Sequence, residues 1–376
     1  MNLKPKASSK YSCPHTRRPT VLLAWITTII ILFCLTGCAG PSYYTQAIRG
    51  HLGLMGDRED IIVILQREGI DPDLREDLQL ALDIRAFATD ELGLPDNRSY
   101  TQFVQTGKQA VSWNVVAAPE FSLQARRWCF VVSGCVPYRG YFEREKANIF
   151  AQRMRDKSFD VSVSPAIAYS TLGWFDDPLL DTMLQYSNEQ LAAFIFHELA
   201  HQAVYVKGDT SFNEAYAGFV EEVAVRQWLQ ATDRDELLLH WRSMENAAIQ
   251  FNALLRKTRD RLASEYTAGR GEAAMRINKQ LIFSDMKSEY QELVSESWKG
   301  KDYFKSWFSG ELNNARLALI NSYQGGLCAF AELYQSAGRN FHRFQHLAAE
   351  KAAMDKDQRL AWLNEPCTTI ASTRDL

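Results

Sequence analysis

HELAHQ (His197–Gln202), followed by FNEAYAGFVEE (Phe212–Glu222), decides how this chain is read. Side chains four apart on a helix lie on one face, one turn above another. A helix through the first run therefore sets His197 and His201 side by side, with Glu198 next to them. The second run adds carboxylates at Glu214, Glu221 and Glu222. Two imidazoles at this spacing, a glutamate between them and a further acid nearby form the donor set of a hydrolytic zinc site. Three protein ligands hold such an ion and a fourth position stays open for water. The water's pKa falls toward ~7, and the intervening carboxylate takes its proton.

The flanking residues predict two antiparallel helices. Ser187 with Gln190 reads as a capping box that opens the first, and Phe194, His197, Glu198, His201 and Tyr205 form one stripe along it. Lys207-Gly208 marks its end, since glycine is favoured just past a helix terminus. Asp209 to Ser211 make a short turn. The second helix runs from about residue 213 to about 230, with Glu214, Ala217, Glu221, Ala224 and Trp228 on its inward face. Glu214 lies by the turn and can fold back toward His201. Glu221, two turns further on, suits an outer position, accepting a hydrogen bond from a ligand imidazole and fixing its orientation. Glu221 and Glu222 stay open as alternatives to Glu214 for the third ligand. A second His-x3-His pair, His342 and His346, has Arg343 where a base belongs and reads as a helix surface.

HELAHQ followed by NEAYAGFVE resembles the aminopeptidase N family of gluzincin metallopeptidases. Matched residue by residue, the resemblance implies His197, His201 and Glu214 as zinc ligands, Glu198 as the base that activates the zinc-bound water, and Glu221 as the downstream glutamate. The spacer from His201 to Glu214 is shorter than that family's usual one. No GAMEN-like segment precedes it, so the glutamate that holds a free amino terminus there has no counterpart. Over most of its remaining length the chain resembles a group of bacterial lipoproteins labelled "putative aminopeptidase". That likeness rests on GCVPYRGYF (Gly134–Phe142), AYSTLGWFDDP (Ala168–Pro178), the zinc motif and NNARLALINSY (Asn313–Tyr323). Gluzincins stabilise the oxyanion with a tyrosine or histidine from a later helix, and Tyr323 is the first candidate, with a structural role as its alternative. Asn313 and Asn314 are candidates for substrate or outer-shell contacts.

Residues 1–37 hold Lys4, Lys6, Lys10, Arg17 and Arg18 and no acid, then an apolar stretch from Val21 to Leu35 and Thr36-Gly37-Cys38. This is the layout of a signal peptide, and the stretch is shorter than the ~20 residues of a spanning helix. Leu-Thr-Gly-Cys resembles a bacterial lipobox, with Cys38 as the lipidated residue. The expected location is the cell envelope, lipid-anchored in the outer membrane and facing the periplasm. The chain carries 42 basic and 45 acidic residues, and loss of the basic leader makes the remainder more acidic. No basic patch argues for nucleic acid. The expected partners are a peptide or protein substrate and the lipid anchor, and the expected cofactor is Zn2+.

Four cysteines follow Cys38: Cys129, Cys135, Cys328 and Cys367. An oxidising envelope permits disulfides. Cys129 and Cys135 are too far apart to bond within one extended strand, whereas a turn at Ser133-Gly134 brings them together. Bridge and free thiols both stay open.

Hydrophobic periodicity organises the rest. Residues 43–92 read as helical, with Leu74, Leu78, Ala81 and Ile84 on one stripe, and Gly93-Leu94-Pro95 breaks them. SYTQFVQ, AVSWNVVAA and WCFVVSGCV read as short strands, with a helix near 143–156. Val161–Leu172 reads as an edge strand whose Tyr169, Ser170, Thr171 and Leu172 line a substrate backbone by strand addition; an ordinary strand and turn is the alternative. Asp176-Asp177 reads as a solvated turn, with an anionic anchor for a substrate amine as the alternative. From Asn188 onward the pattern is helical. The expected fold is α+β, mostly helical: a zincin-like catalytic core with a small sheet, the HExxH helix and a long helical C-terminal part. Its expected divisions are a leader (1–37), an N-terminal helical region (38–98), the catalytic core (99–232) and a helical region completing the active-site cleft (233–376). The function expected is a zinc peptidase of the envelope, an aminopeptidase by resemblance. The alternative is a noncatalytic lipid-anchored scaffold with a structural zinc.

Overall fold

Short strands alternate with helices in the first half of the chain, and helices make up most of the second. The computed structural model describes residues 41–130, 134–168, 175–320 and 326–365. The leader, Cys38, Tyr169, Ser170, Thr171, Leu172, Tyr323 and Cys367 lie outside the described residues. In chain order the first elements are α1 (Pro41–Gly56), β1 (Glu59–Asp60), α2 (Ile61–Leu65), α3 (Pro72–Asp90), β2 (Gln102–Val104), β3 (Ser112–Pro119), β4 (Trp128–Phe130), β5 (Gly134–Val136) and β6 (Arg139–Tyr141). Then come α4 (Arg144–Arg155), β7 (Phe159–Ala166), β8 (Leu179–Leu180), α5 (Asn188–Ala203), α6 (Thr210–Ala231), α7 (Asp235–Thr267) and α8 (Glu272–Glu292). After one π turn and one 3-10 turn, α9 (Asn314–Leu317), α10 (Leu327–Ser336), α11 (Phe341–Ala352) and α12 (Lys356–Leu363) finish the fold. The α+β, mostly helical class expected from the sequence is the one observed. No described helix is long and apolar enough to cross a membrane.

The main antiparallel sheet has the order β6-β3-β7. Central β3 carries a continuous buried run, Val115 to Ala118, as a strand covered on both faces must. Ala147, Ala151 and Met154, at i, i+4 and i+7 of α4, cover it together with Trp128 and Tyr141. β7 is one of its two edge strands among the described residues. It ends at Ala166, opposite Ser112, where its partner runs out; the reading that carried it to Leu172 therefore extends past its observed end. Pro165 sits on this edge, where a missing N–H breaks no inner ladder. β1-β2-β8 form a second small sheet, with β2 and β8 parallel. β4 and β5 form a hairpin with Cys129 opposite Cys135, Cα atoms 3.8 Å apart, and these two cysteines are bonded. Cys328 is also disulfide-bonded.

The largest core is built around α5 and α6, with α3, α10 and α11 against them. Phe212, Tyr216 and Phe219 form one stripe of α6 and meet Phe330, Tyr334 and Phe344 in a set of aromatic contacts. This core draws residues from 54 to 363, so the three mature segments expected from the sequence share it. A second core lies along the α7–α8 hairpin, where Phe251 and Leu262 meet Met286 and Tyr290.

Two stretches differ from the sequence expectation. The helical reading of 43–92 resolves into three helices, broken around Asp57 and Gly69; Asp71 restarts the third by accepting from the N–H groups of Asp73 and Leu74. The helical remainder is also interrupted between Glu292 and Asn314. Its aromatic residues fold back onto the second core, Phe304 stacking on Phe251 at 4.2 Å and Phe308 on Tyr290 at 4.0 Å. Packing overrides helical propensity there.

Candidate metal centre

α5 starts at Ser187, whose backbone N–H donates to Gln190 Oε1 at 3.3 Å. The helix ends at Ala203, a turn earlier than the Lys207-Gly208 signal indicates, and Gly208 takes the turn itself with a φ of +81°. Asn213 clamps this turn: its Nδ2 donates to the Val206 carbonyl at 2.9 Å, and its Oδ1 accepts from the Val206 N–H at 2.8 Å. Asp209 caps α6 by accepting from the Phe212 N–H at 3.1 Å. Arg359 holds the same Asp209 at 2.7 Å from the far end of the chain. The residue after Asn213 is Glu214, so this clamp fixes where its carboxylate starts.

Glu214 does fold back. Its carboxylate lies 3.6 Å from His197 Nε2 and 3.8 Å from His201 Nε2, and the two imidazole nitrogens are 3.2 Å apart. Two donors at ~2.1 Å from a tetrahedral zinc stand about 3.4 Å apart, so the donor set fits zinc in spacing and in kind. Among the described residues these three make the one group able to hold a metal. Glu221 stands behind it: His197 Nδ1–H donates to Glu221 Oε2 at 2.8 Å. That bond leaves His197 Nε2 facing the cluster, as an outer-shell partner does. His201 Nδ1 is buried with no hydrogen-bond partner among the described residues.

The electrostatics follow from these neighbours. Burial pulls His197 down, but Glu214 and Glu221 more than reverse it and hold the imidazole well above its usual range. Burial and the adjacent His197 charge push His201 down to about 4. Burial raises Glu214, yet the hydrogen bond to His197 holds it below its ordinary value. One proton is thus shared out at His197 when no ion is present. A metal must displace it, so zinc affinity rises as pH rises through neutrality. Calorimetry in buffers of different ionisation enthalpy should show proton release on loading; release that is absent at pH 6 and 7 contradicts this picture.

Glu198 is half-buried and outside the ligand group. Its charge acts on His197, Tyr100 and Tyr138. Tyr138, in the loop between β5 and β6, is pushed up by burial and then by Glu214 and Glu198. Tyr138 is exposed, senses the charges of Glu214 and Glu198, and is a residue that the sequence reading did not assign. It lies in GCVPYRGYF, a segment that marks the family likeness, but no spacing rule ties it to a motif so far away in sequence. Tyr100 is the other residue that reading missed. It is fully buried, has a φ of +63°, and its hydroxyl has no hydrogen-bond partner among the described residues. Its N–H donates to the Asp177 carbonyl at 2.7 Å, which helps hold this left-handed backbone.

The chain belongs to the family described as "Putative aminopeptidase". The model of that family matches residues 42–363. No curated protein and no solved structure matches the chain. Membership in this family implies a hydrolase whose substrate is a peptide.

The remaining sequence candidates fall elsewhere. Asp177, read as part of a solvated turn, is completely buried; Gln202 Nε2 reaches its Oδ2 at 3.4 Å and the Ser99 hydroxyl at 3.2 Å. This ties the end of the HELAHQ run to the loop carrying Tyr100. Asn313 and Asn314 are buried scaffold, donating to the Val161 and Glu120 carbonyls at 3.1 and 2.8 Å. Glu222 turns away to Arg226. His342 and His346 lie on the exposed side of α11, His346 near Glu350. Removing the Glu221 carboxylate as Glu221→Ala should weaken metal affinity ~10–100-fold, the usual cost of an outer-shell loss. Competition with a chelating dye measures this, and unchanged affinity would remove Glu221 from the centre.

Proposed function

We propose that this protein is a zinc-dependent peptidase that hydrolyses peptide bonds in the cell envelope, with aminopeptidase action as the favoured mode. The observation that carries this reading is the convergence of His197, His201 and Glu214 on one point, backed by Glu221 and adjoined by Glu198. These three residues would hold the ion. When bound, zinc supplies Lewis-acid polarisation of a peptide carbonyl and lowers the pKa of a water. Glu198 takes a proton from the attacking water and hands it to the leaving amine. Tyr138, a phenol that is neutral at pH 7 as tyrosines ordinarily are, offers its hydroxyl to the oxygen that gains charge in the transition state. The zincin-like reading of the core rests on the same HExxH helix and its antiparallel partner. Lipid attachment at Cys38 and an outer-membrane, periplasm-facing location complete the proposal, on the leader composition and the Leu-Thr-Gly-Cys sequence.

The test is metal dependence. Purified protein should hold about one zinc per chain, cleave unmodified peptides, lose activity to a chelator and regain it with zinc. Zinc without hydrolysis of any peptide in a broad library would favour the noncatalytic scaffold.

A further inference from the structure

Exposed apolar side chains gather around α1. One side of this helix is fastened to the fold at i, i+4 and i+8. Gln46 Oε1 accepts from the Phe142 N–H at 3.1 Å, Gly50 lies under the Phe142 ring, and Leu54 joins the main core. The opposite side faces solvent. Ile48 and Leu52, one turn apart on it, are 56 % and 61 % exposed. Phe175, 53 % exposed, meets the same helix, its ring centroid 5.1 Å from that of His51. Arg58 ties the end of α1 to the loop of Phe175: its Nε donates to the Met55 carbonyl at 2.9 Å and its Nη1 to the Asp176 carbonyl at 3.1 Å. The next short helix, α2, also presents Ile62 and Val63 to solvent. α1 has no acidic residue, in a chain that holds 45 of them. The one charged side chain on its outer side is Arg49.

Single exposed apolar residues are ordinary on a folded protein. Ile48, Leu52 and Phe175 differ in sharing one neighbourhood and in what precedes them. Cys38, the proposed lipidation site, is three residues before Pro41. At most ~11 Å of chain therefore separates a lipid anchor from the start of α1. Ile48 and Leu52 follow ~11 and ~17 Å further along the helix. So short a tether holds α1 at the headgroups. A helix with an apolar outer side and no acid lies flat there, with that side in the boundary between headgroups and acyl chains. We propose that α1 is a second, noncovalent membrane contact: Ile48, Leu52 and Phe175 enter the phospholipid surface, and Arg49 meets the lipid phosphates. The inference takes the nearness of the bilayer from the proposed lipidation of Cys38 and adds which side of the fold faces it. Asp177, next to Asp176, is reached by Gln202 at the end of the HELAHQ run, so the contact also fixes how the metal-bearing helix is turned relative to the membrane.

Solvent labelling of the envelope-isolated protein on vesicles of phosphatidylethanolamine and phosphatidylglycerol tests this. Ile48→Cys and Leu52→Cys are compared with Leu281→Cys, a position on α8 that is 57 % exposed. A membrane-impermeant maleimide should react at 48 and 52 at least ~tenfold more slowly than at 281, since burying one such side chain is worth that factor or more. Adding Ile48→Asp should restore fast labelling at Leu52→Cys. Equal rates at the three positions, or slow labelling at 52 that persists beside the aspartate, would overturn the contact. Protection that fades as the protein is diluted in lipid would assign the face to a second copy of the chain and overturn it as well. Mass spectrometry of the amino-terminal peptide reads the acyl group separately. Slow labelling with no acyl group on Cys38 would keep the surface and remove the anchor. Acylated Cys38 with equal rates would keep the anchor and remove the surface.

Discussion

Glu198→Gln should lower peptide hydrolysis by ~10²–10⁴-fold, the usual worth of a positioned general base, and leave zinc content unchanged. The two halves of this result come from different features of the site. Glu198 is outside the group that converges on the metal position, so no metal–ligand bond is removed. Its charge acts on His197, Tyr138 and Tyr100. Glutamine keeps the shape and can still hydrogen-bond, but it cannot accept a proton. The half-buried position makes the exchange tolerable for folding. Zinc analysis and steady-state kinetics on one preparation give the answer. Loss of zinc would make Glu198 a ligand; full activity would move the base elsewhere or leave the metal structural.

The site was largely legible in the sequence because its parts are local. His197, Glu198 and His201 lie within one turn, and helix geometry alone sets their faces. Glu214 and Glu221 follow after a turn that Gly208, Asp209 and Asn213 announce and clamp. Short range in sequence becomes short range in space with few alternatives. The main sheet was legible for a similar reason: the apolar run from Val115 to Ala118 has few other uses. What was not legible is what comes from afar. Tyr138 comes from a loop between two short strands and Tyr100 from a left-handed backbone that no residue-type rule assigns to tyrosine, and both feel the charge of Glu198.

Charge in the sequence misled in one place for a related reason. Asp177 reads as solvent-facing because acids are almost never fully buried unless paired. Here Gln202 and Ser99, from two other elements, reach its side chain and its backbone and make burial tolerable. The grouping of Glu222 with Glu245 was equally hidden. They are on different helices, and only their shared contact with Arg226 reveals them as one group. Of the glutamates on α6, the sequence separated Glu214 from Glu221 by distance to the turn, but it could not show that Glu222 turns to Arg226.

Glu214→Ala should cost more zinc affinity than Glu221→Ala, that is, more than the ~10–100-fold of an outer-shell loss. The reason is coordination number. His197 and His201 alone leave two donors where a catalytic zinc normally has three, and Glu214 is the one described carboxylate that lies within reach of both Nε2 atoms. Glu221 cannot substitute from where it stands, because its oxygen is committed to His197 Nδ1, on the far side of the ring. Glu222→Gln serves as the control. It is adjacent to Glu221 in sequence but turned to Arg226, so it should keep the wild-type zinc content. Metal analysis after dialysis against a weak chelator separates the outcomes. Zinc kept in Glu214→Ala and lost in Glu221→Ala would exchange the roles of the two glutamates. Zinc lost in Glu222→Gln would mean that the three-residue centre is drawn wrongly, since Glu222 lies outside it and is turned to Arg226.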